Sequence, residues 1–78
     1  VPFLLKNVFV TAGEGAIAEH LNAVLREYPA LLLGSYPALN NPEYRVRLTL
    51  ESKDPAYLDK ALKLLVSLLS ASSIAKVE

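Results

Sequence analysis

Few side chains in this sequence have the types and spacing that catalysis or metal binding requires. The single histidine, His20, is the only candidate base for a nucleophile, base and orienter triad, and it lies at the edge of an apolar helical stripe. Glu14 and Glu19 do not stand three or four residues apart, so they do not stack as a carboxylate pair on a helix. Asp54 stands where a helix N-cap is expected. The residues therefore predict neither a catalytic site nor a metal site within this chain.

A phosphate-binding loop is also not expected. The segment AGEGA, residues 12–16, contains two glycines but follows neither the Walker spacing nor the dinucleotide-binding spacing. We interpret it as a turn that leads into a helix, with Glu14 near the positive end of the helix dipole.

Composition limits the domain count and the expected partners. A chain of 78 residues forms one domain. Eight Lys and Arg balance eight Asp and Glu without a run of like charge, so neither nucleic acid nor a membrane surface is the expected partner. The sequence has no cysteine, no apolar run of about 20 residues and no signal peptide. We therefore expect a soluble, cytoplasmic domain over residues 1–78, and the start at Val1 predicts a piece of a longer protein.

The hydrophobic pattern predicts two helices and four strands. The first helix carries an apolar stripe from Ile17 to Tyr28 and ends before Pro29. The second helix has Asp54 as N-cap and Pro55 in its first turn. The strands are predicted at residues 3–12, 30–36, 43–52 and from residue 74 onward. Two right-handed crossovers then give an α+β fold, a ferredoxin-like βαββαβ sandwich with a four-stranded antiparallel sheet and both helices on one face.

The third strand shows which side chains reach the uncovered face of this sheet. Its alternation sends Tyr44 inward with three aliphatic residues, whereas Arg45, Arg47 and Thr49 face outward, beside Phe9 of the first strand. RNA-recognition motifs of this topology place several stacked aromatic rings there. A single aromatic residue among arginines instead predicts a docking surface for a neighbouring domain or a second subunit.

The stretch GSYP, Gly34 to Pro37, is the second part of the candidate interface. We expect Gly34 to allow a close approach of backbone, Tyr36 to bury its ring and Pro37 to stop the strand. Residues 40–42 then make the turn into the next strand. Gly34, Ser35, Tyr36 and Pro37, together with Phe9, Arg45 and Arg47, are the candidate residues for a domain interface or a nearby ligand. The sequence assigns no role to the loop of residues 38–43.

The run GEGAIAEHLNAVLREYPALLLGSYP, followed by YRVRLTLESKD, resembles the C-terminal subdomain of the molybdopterin-binding-like domain in eukaryotic FAD synthase and related competence-damage-inducible proteins. The resemblance covers nearly the whole chain. The positions that carry it are Gly13, Glu14, Ile17, Ala18, Leu21, Gly34, Ser35, Tyr36, Pro37, Leu50, Ser52 and Asp54.

This resemblance implies a non-catalytic accessory subdomain in a nucleotide pyrophosphate hydrolase of the FAD synthase type. It would pack against an adjacent catalytic subdomain of the parent chain, and there help to form a homodimer or close the catalytic cleft. FAD or a molybdopterin-like nucleotide, with a divalent metal, would belong to the parent protein, and no cofactor to this chain. Two alternatives stay open, namely a self-contained dimeric regulatory domain that binds a small metabolite, and an engineered scaffold without function.

Overall fold

The order of the elements agrees with the sequence prediction. The computed structural model describes residues 4–69 and 71–78, without the side chains of residues 14, 16 and 71. Phe3, where the first strand was predicted to begin, and the side chain of Glu14 lie outside this description. The elements are β1 Leu4–Val10, α1 Glu14–Glu27, β2 Leu32–Pro37, β3 Val46–Ser52, α2 Pro55–Leu68, a 3₁₀ turn Ala71–Ser73 and β4 Ile74–Val77.

The four strands form one antiparallel sheet in the order β2-β3-β1-β4. Each helix connects two strands that are not neighbours in the sheet, as the two crossovers require. Both helices contribute to one hydrophobic core together with the strands. The ferredoxin-like α+β sandwich predicted from the sequence is therefore confirmed.

The core lies between the helices and one face of the sheet. Val8 pairs with Leu48 and Val10 with Val46, so these four side chains project from the same face. Helix side chains complete the core at Ile17, Val24, Leu58, Ala61, Leu65 and Leu69. Most of these helix positions had been predicted from the apolar stripes, because residues three and four apart share one side of a helix.

The start of α2 explains part of the sequence pattern shared with the resembling family. Asp54 Oδ1 accepts hydrogen bonds from the N–H groups of Ala56 at 2.9 Å and Tyr57 at 3.3 Å. The Ser52 hydroxyl accepts a bond from the N–H of Asp54 at 3.1 Å, and Leu50 is fully buried. The spacing Leu50, Ser52, Asp54 is thus a strand end followed by a helix N-cap.

Tyr57 joins this helix start to the loop between α1 and β2. Its hydroxyl accepts a hydrogen bond from the N–H of Ala30 at 3.0 Å, and its ring packs edge-on against Tyr28 with the centroids 5.1 Å apart. Both tyrosines are only partly exposed and pack against the core. This contact fixes where β2 begins relative to α2.

The strand β2 ends at Pro37, as predicted, although Pro37 itself still belongs to it. Pro37 is the last residue of β2 and pairs with Val46. The N–H of the next residue, Ala38, donates to the carbonyl of Arg45 at 2.8 Å, so alternation turns the nitrogen of Pro37 away from β3. Since β2 is an edge strand, the missing N–H removes no hydrogen bond from the sheet.

Candidate interface on the helix-free sheet face

The sheet face without helices, called the helix-free face below, carries a row of alternating aromatic and cationic side chains. The strand register aligns Tyr36, Arg47, Phe9 and Lys76 across all four strands. The Arg47 guanidinium carbon lies 5.1 Å from the Tyr36 ring centroid, and Lys76 Nζ lies 4.9 Å from that of Phe9. Both distances are within the range of cation–π attraction. We call this set the aromatic row.

Phe9 is buried within the aromatic row, although no helix covers it. Only 7% of its surface is exposed, because the Tyr44 ring packs edge-on against it with the centroids 4.7 Å apart. Tyr44 therefore lies on the helix-free side, and the prediction that it faces the core is wrong. Alternation assigns faces only within a paired strand, and β3 begins two residues later, at Val46.

A row of small and polar side chains follows, called the small row below; it consists of Gly34, Thr49 and Asn7 and continues to Glu78, which exchanges two backbone hydrogen bonds with Asn7. A Cβ atom added to Gly34 would stand 2.7 Å from Thr49 Oγ1, 2.9 Å from Tyr36 Cε2 and 3.1 Å from the Tyr36 hydroxyl oxygen. The Tyr36 ring thus leans over Gly34, on the outside of the sheet. It is 50% exposed, so the prediction that this ring is buried is wrong.

The third row, called the leucine row, consists of Leu32, Glu51 and Leu5. The two leucines are each 51% exposed, and they flank the partly buried Glu51. Within the described residues Glu51 has no ion-pair partner, since the ion pairs there are Lys63 with Asp59 and Lys76 with Glu78. The leucine row thus combines two exposed apolar side chains with a carboxylate that has no ion-pair partner among the described residues.

The structure separates the residues that the sequence had grouped as one interface. Phe9, Gly34, Tyr36 and Arg47 lie together on the helix-free face. Ser35 and Pro37 lie on the opposite face of β2, because they pair with core residues of β3. GSYP is therefore not a single contact surface.

Arg45 stands outside this group of four. It precedes β3, is exposed, and borders a hollow of about 640 Å³ with the loop that follows Pro37. Asn40 in this loop has a φ of 60°, a left-handed conformation that asparagine adopts more readily than most residues. The Asn41 side chain accepts a hydrogen bond from the N–H of Glu43 at 2.8 Å, so the loop is a locally bonded turn.

The sequence matches the model of the family described as FAD synthase, middle domain, over residues 2–78. This chain belongs to the FAD synthase middle domain family. The resemblance to FAD synthase stated from the sequence is thereby confirmed. The FAD synthase middle domain seen here is also similar to a solved structure, a dimeric ferredoxin-like protein of unknown function from Jannaschia sp. CCS1, with a TM-score of 0.58 and 22% identity over 99% of this chain and 96% of that one. An identity this low supports the fold alone.

Three residues of the helix-free face in this FAD synthase middle domain were missed from the sequence, namely Leu5, Leu32 and Lys76, whereas the alternation of the third strand had assigned Glu51 to this face. Each of the three is unremarkable in its own strand, and only the register places it beside the others. The alternation of the first strand, continued from Phe9 through Asn7, would have found Leu5.

The described part of this FAD synthase middle domain does not bring metal ligands together. In residues 4–69 and 71–78, no three His, Cys, Asp or Glu side chains are grouped in a way that would hold a metal ion. His20 lies partly exposed on α1. Nor is either described helix sufficiently long and apolar to cross a membrane.

Proposed function

We propose that this chain is a non-catalytic interaction domain of a FAD-synthase-type protein and that it makes its contact through the helix-free face. The observation that carries the proposal is the exposed apolar surface of the aromatic row and the leucine row, which lie at the two ends of this face. Tyr36, Leu5 and Leu32 each expose about half of their surface there, whereas the opposite face is covered by both helices. Apolar side chains gathered on one open face are characteristic of a surface that binds another protein surface.

The chemistry of this face supports an interaction role. Within the described part of the chain, Arg47 and Lys76 lie against aromatic rings, Lys76 also pairs with Glu78, and Glu51 stands between leucines, so these side chains do not place a base beside a nucleophile. The described side chains do not fit a divalent metal, because they form no carboxylate or imidazole ligand set. In this proposal FAD or a molybdopterin-like nucleotide, and any metal, are bound by the adjacent catalytic part of the parent protein.

A dimeric assembly is consistent with this role. The Jannaschia protein shares the ferredoxin-like fold and is described as dimeric. By analogy, we infer that the interaction domain contributes to a homodimer of the parent protein. The adjacent catalytic part is the second partner that this function implies.

The test of the non-catalytic role is an assay of the purified 78-residue chain with FAD or ADP-ribose and a divalent cation. We expect no hydrolysis above a mock preparation from the same host. Hydrolysis that co-elutes with the folded chain through two different columns, and that is lost when the chain is removed by its affinity tag, would refute the proposal.

The rival function is a regulatory domain that binds a small metabolite. A hollow of about 350 Å³ beside β2, bordered by Leu25, Leu32, Gly34 and Tyr36, favours it, because this volume lies at the lower end of ligand pockets. Calorimetry of the chain with FAD, FMN, amino acids and nucleotides separates the two functions. Binding in the micromolar range that is lost in Tyr36→Ala would support the rival, and an absence of heat with all four groups of ligands would support the interaction domain.

A further inference from the structure

We propose that the helix-free face binds the same face of a second copy, across a two-fold axis that lies along the small row and runs across the strands. This inference rests on the proposed interaction function and names its partner. Two sheets that pack face to face lie about 10 Å apart and are rotated by about 30°. A two-fold axis in the plane between them makes each contact occur twice.

Rotation about this axis reverses the strand direction and exchanges the outer rows. The aromatic row of one copy then faces the leucine row of the other, because the small row lies midway between them. Tyr36 meets Leu32 of the second copy, and Leu5 of the second copy meets the side chains of Tyr44 and Lys76 that cover Phe9. Three half-exposed apolar side chains, Tyr36, Leu5 and Leu32, are covered in this arrangement. Thr49 and Asn7 on the axis have short side chains, and the Tyr36 ring covers Gly34 beside them. At the β4 end of the axis Glu78, which is ion-paired with Lys76 of its own chain, lies opposite Glu78 of the second copy.

The charges of β3 match under the same rotation. Arg47 and Glu51 project from the same face and lie two residues on either side of Thr49. The rise of a strand separates them by about 13 Å, which is too far for contact within one chain. Rotation about Thr49 brings Arg47 of each copy opposite Glu51 of the other. Neither side chain has an ion-pair partner within the described residues, so this assembly supplies one to each.

The other two-fold arrangement, with the axis parallel to the strands, is less favourable. It places the aromatic rows of both copies on each other, so that Arg47 and Lys76 of both copies gather at one end of the interface. Glu51 then faces Leu5 of the second copy and gains no cation. Arg47 then lies opposite Phe9 and Lys76 opposite Tyr36 of the second copy, so that arrangement lacks the match of Arg47 with Glu51.

The size of the face sets the expected strength of the dimer. Four strands about 4.8 Å apart and about seven residues long give a flat footprint on the order of 400 Å² per copy. This footprint is at the small end of specific interfaces. We therefore expect a dimer that dissociates on dilution, so its detection requires a series of concentrations.

The test is sedimentation velocity of the 78-residue chain over such a series, with variants that reverse the two charges. Arg47→Glu and Glu51→Arg should each weaken the dimer at least tenfold, because each change places like charges together at two symmetric sites. The double variant Arg47→Glu with Glu51→Arg should restore most of the affinity. Asp59→Lys with Lys63→Glu, a swap of the exposed ion pair on α2, is the matched control and should leave the dimer unchanged.

Several outcomes would overturn this inference. A chain that stays monomeric at every concentration would leave the face for the catalytic part of the parent protein or for a metabolite. Single variants that dimerise normally, or a double variant that is as weak as the singles, would reject this axis. Circular dichroism and urea unfolding of each variant show whether the loss of the dimer results from loss of the fold. The double variant provides a second check, because restored charge pairing restores the dimer only if the fold is intact. The hydrolysis assay addresses the non-catalytic role separately, so the two proposals fail independently.

Discussion

Gly34→Ala tests how closely the Thr49 and Tyr36 side chains pack over Gly34 on the helix-free face. The added Cβ would stand 2.7 Å from Thr49 Oγ1 and 2.9 Å from Tyr36 Cε2. Carbon atoms in contact ordinarily lie about 3.5–4.0 Å apart, so either the Tyr36 ring or β3 must move. The Tyr36 atoms in question lie at the far end of a side chain with rotatable bonds, so the ring can move aside. Thr49 is β-branched and stiff at χ1, so its side chain yields less easily.

The expected effect combines two opposing terms. Overpacking a close contact costs roughly 1–3 kcal/mol. Replacement of glycine by alanine in a strand returns roughly 0.5–1 kcal/mol, because alanine loses less backbone freedom on folding. The free energy of unfolding should therefore fall by about 0–2.5 kcal/mol, and the middle of this range, about 1 kcal/mol, lowers Tm by roughly 4–8 °C in a domain of this size.

The measurement is urea unfolding by circular dichroism at a concentration at which the chain is monomeric. Gly15→Ala is the matched control, because a Cβ there meets nothing within 4 Å, and we expect it to raise stability by up to about 1 kcal/mol. In a Tyr36→Ala background the cost of Gly34→Ala should fall to roughly half, since the ring contacts are gone and Thr49 remains. A stabilising Gly34→Ala, or an equal cost of Gly34→Ala with and without the Tyr36 ring, would refute the reasoning.

Three further substitutions test the scaffold that positions the face. Asp54→Ala should lower the free energy of unfolding by about 1 kcal/mol, because two N–H groups lose their cap, and urea unfolding with an unchanged m-value checks this. Tyr57→Phe should lower the free energy of unfolding by about 1 kcal/mol, because the hydrogen bond from the N–H of Ala30 is lost. Tyr44→Phe is the control, since the Tyr44 hydroxyl has no hydrogen bond within the described residues, and it should cost less than half of that. Equal losses in the two variants would contradict the hydrogen bond assigned to Tyr57. Leu48→Ala should cost roughly 3–5 kcal/mol as a cavity in the core, and a loss below 1 kcal/mol by thermal unfolding would show that this site is not packed as described.

The order of the elements could be predicted from the sequence, because each element has a local signal. The apolar stripes have a period near 3.6 residues in both helices, and Asp54 followed by Pro55 indicates the start of α2. Within Val46–Ser52 the alternation also assigned every side chain to the correct face. These signals depend on neighbours in sequence, so a single chain is sufficient to find them.

The candidate interface was predicted only in part, because it depends on register between distant strands. From the sequence, the Tyr36 ring is expected to be buried, since no local pattern shows that Gly34 leaves space for this ring on the outer surface of the sheet. In the sequence, Tyr44 continues the alternation of β3, but in the structure the pairing of β3 with its neighbouring strands begins two residues later, at Val46. The pairing of Leu5 and Leu32 with Glu51 joins residues far apart in the chain, and no local pattern encodes it.

The position of Pro37 has a consequence for how copies of this domain can aggregate. β2 is an edge strand, and an incoming strand needs outward N–H donors to extend the sheet. Pro37 removes one of these donors while leaving the inward ladder intact. Sheet extension from copy to copy is open-ended, whereas face-to-face pairing is complete with two copies. The edge proline therefore disfavours sheet extension at β2, which is the open-ended alternative to the face-to-face pair proposed above.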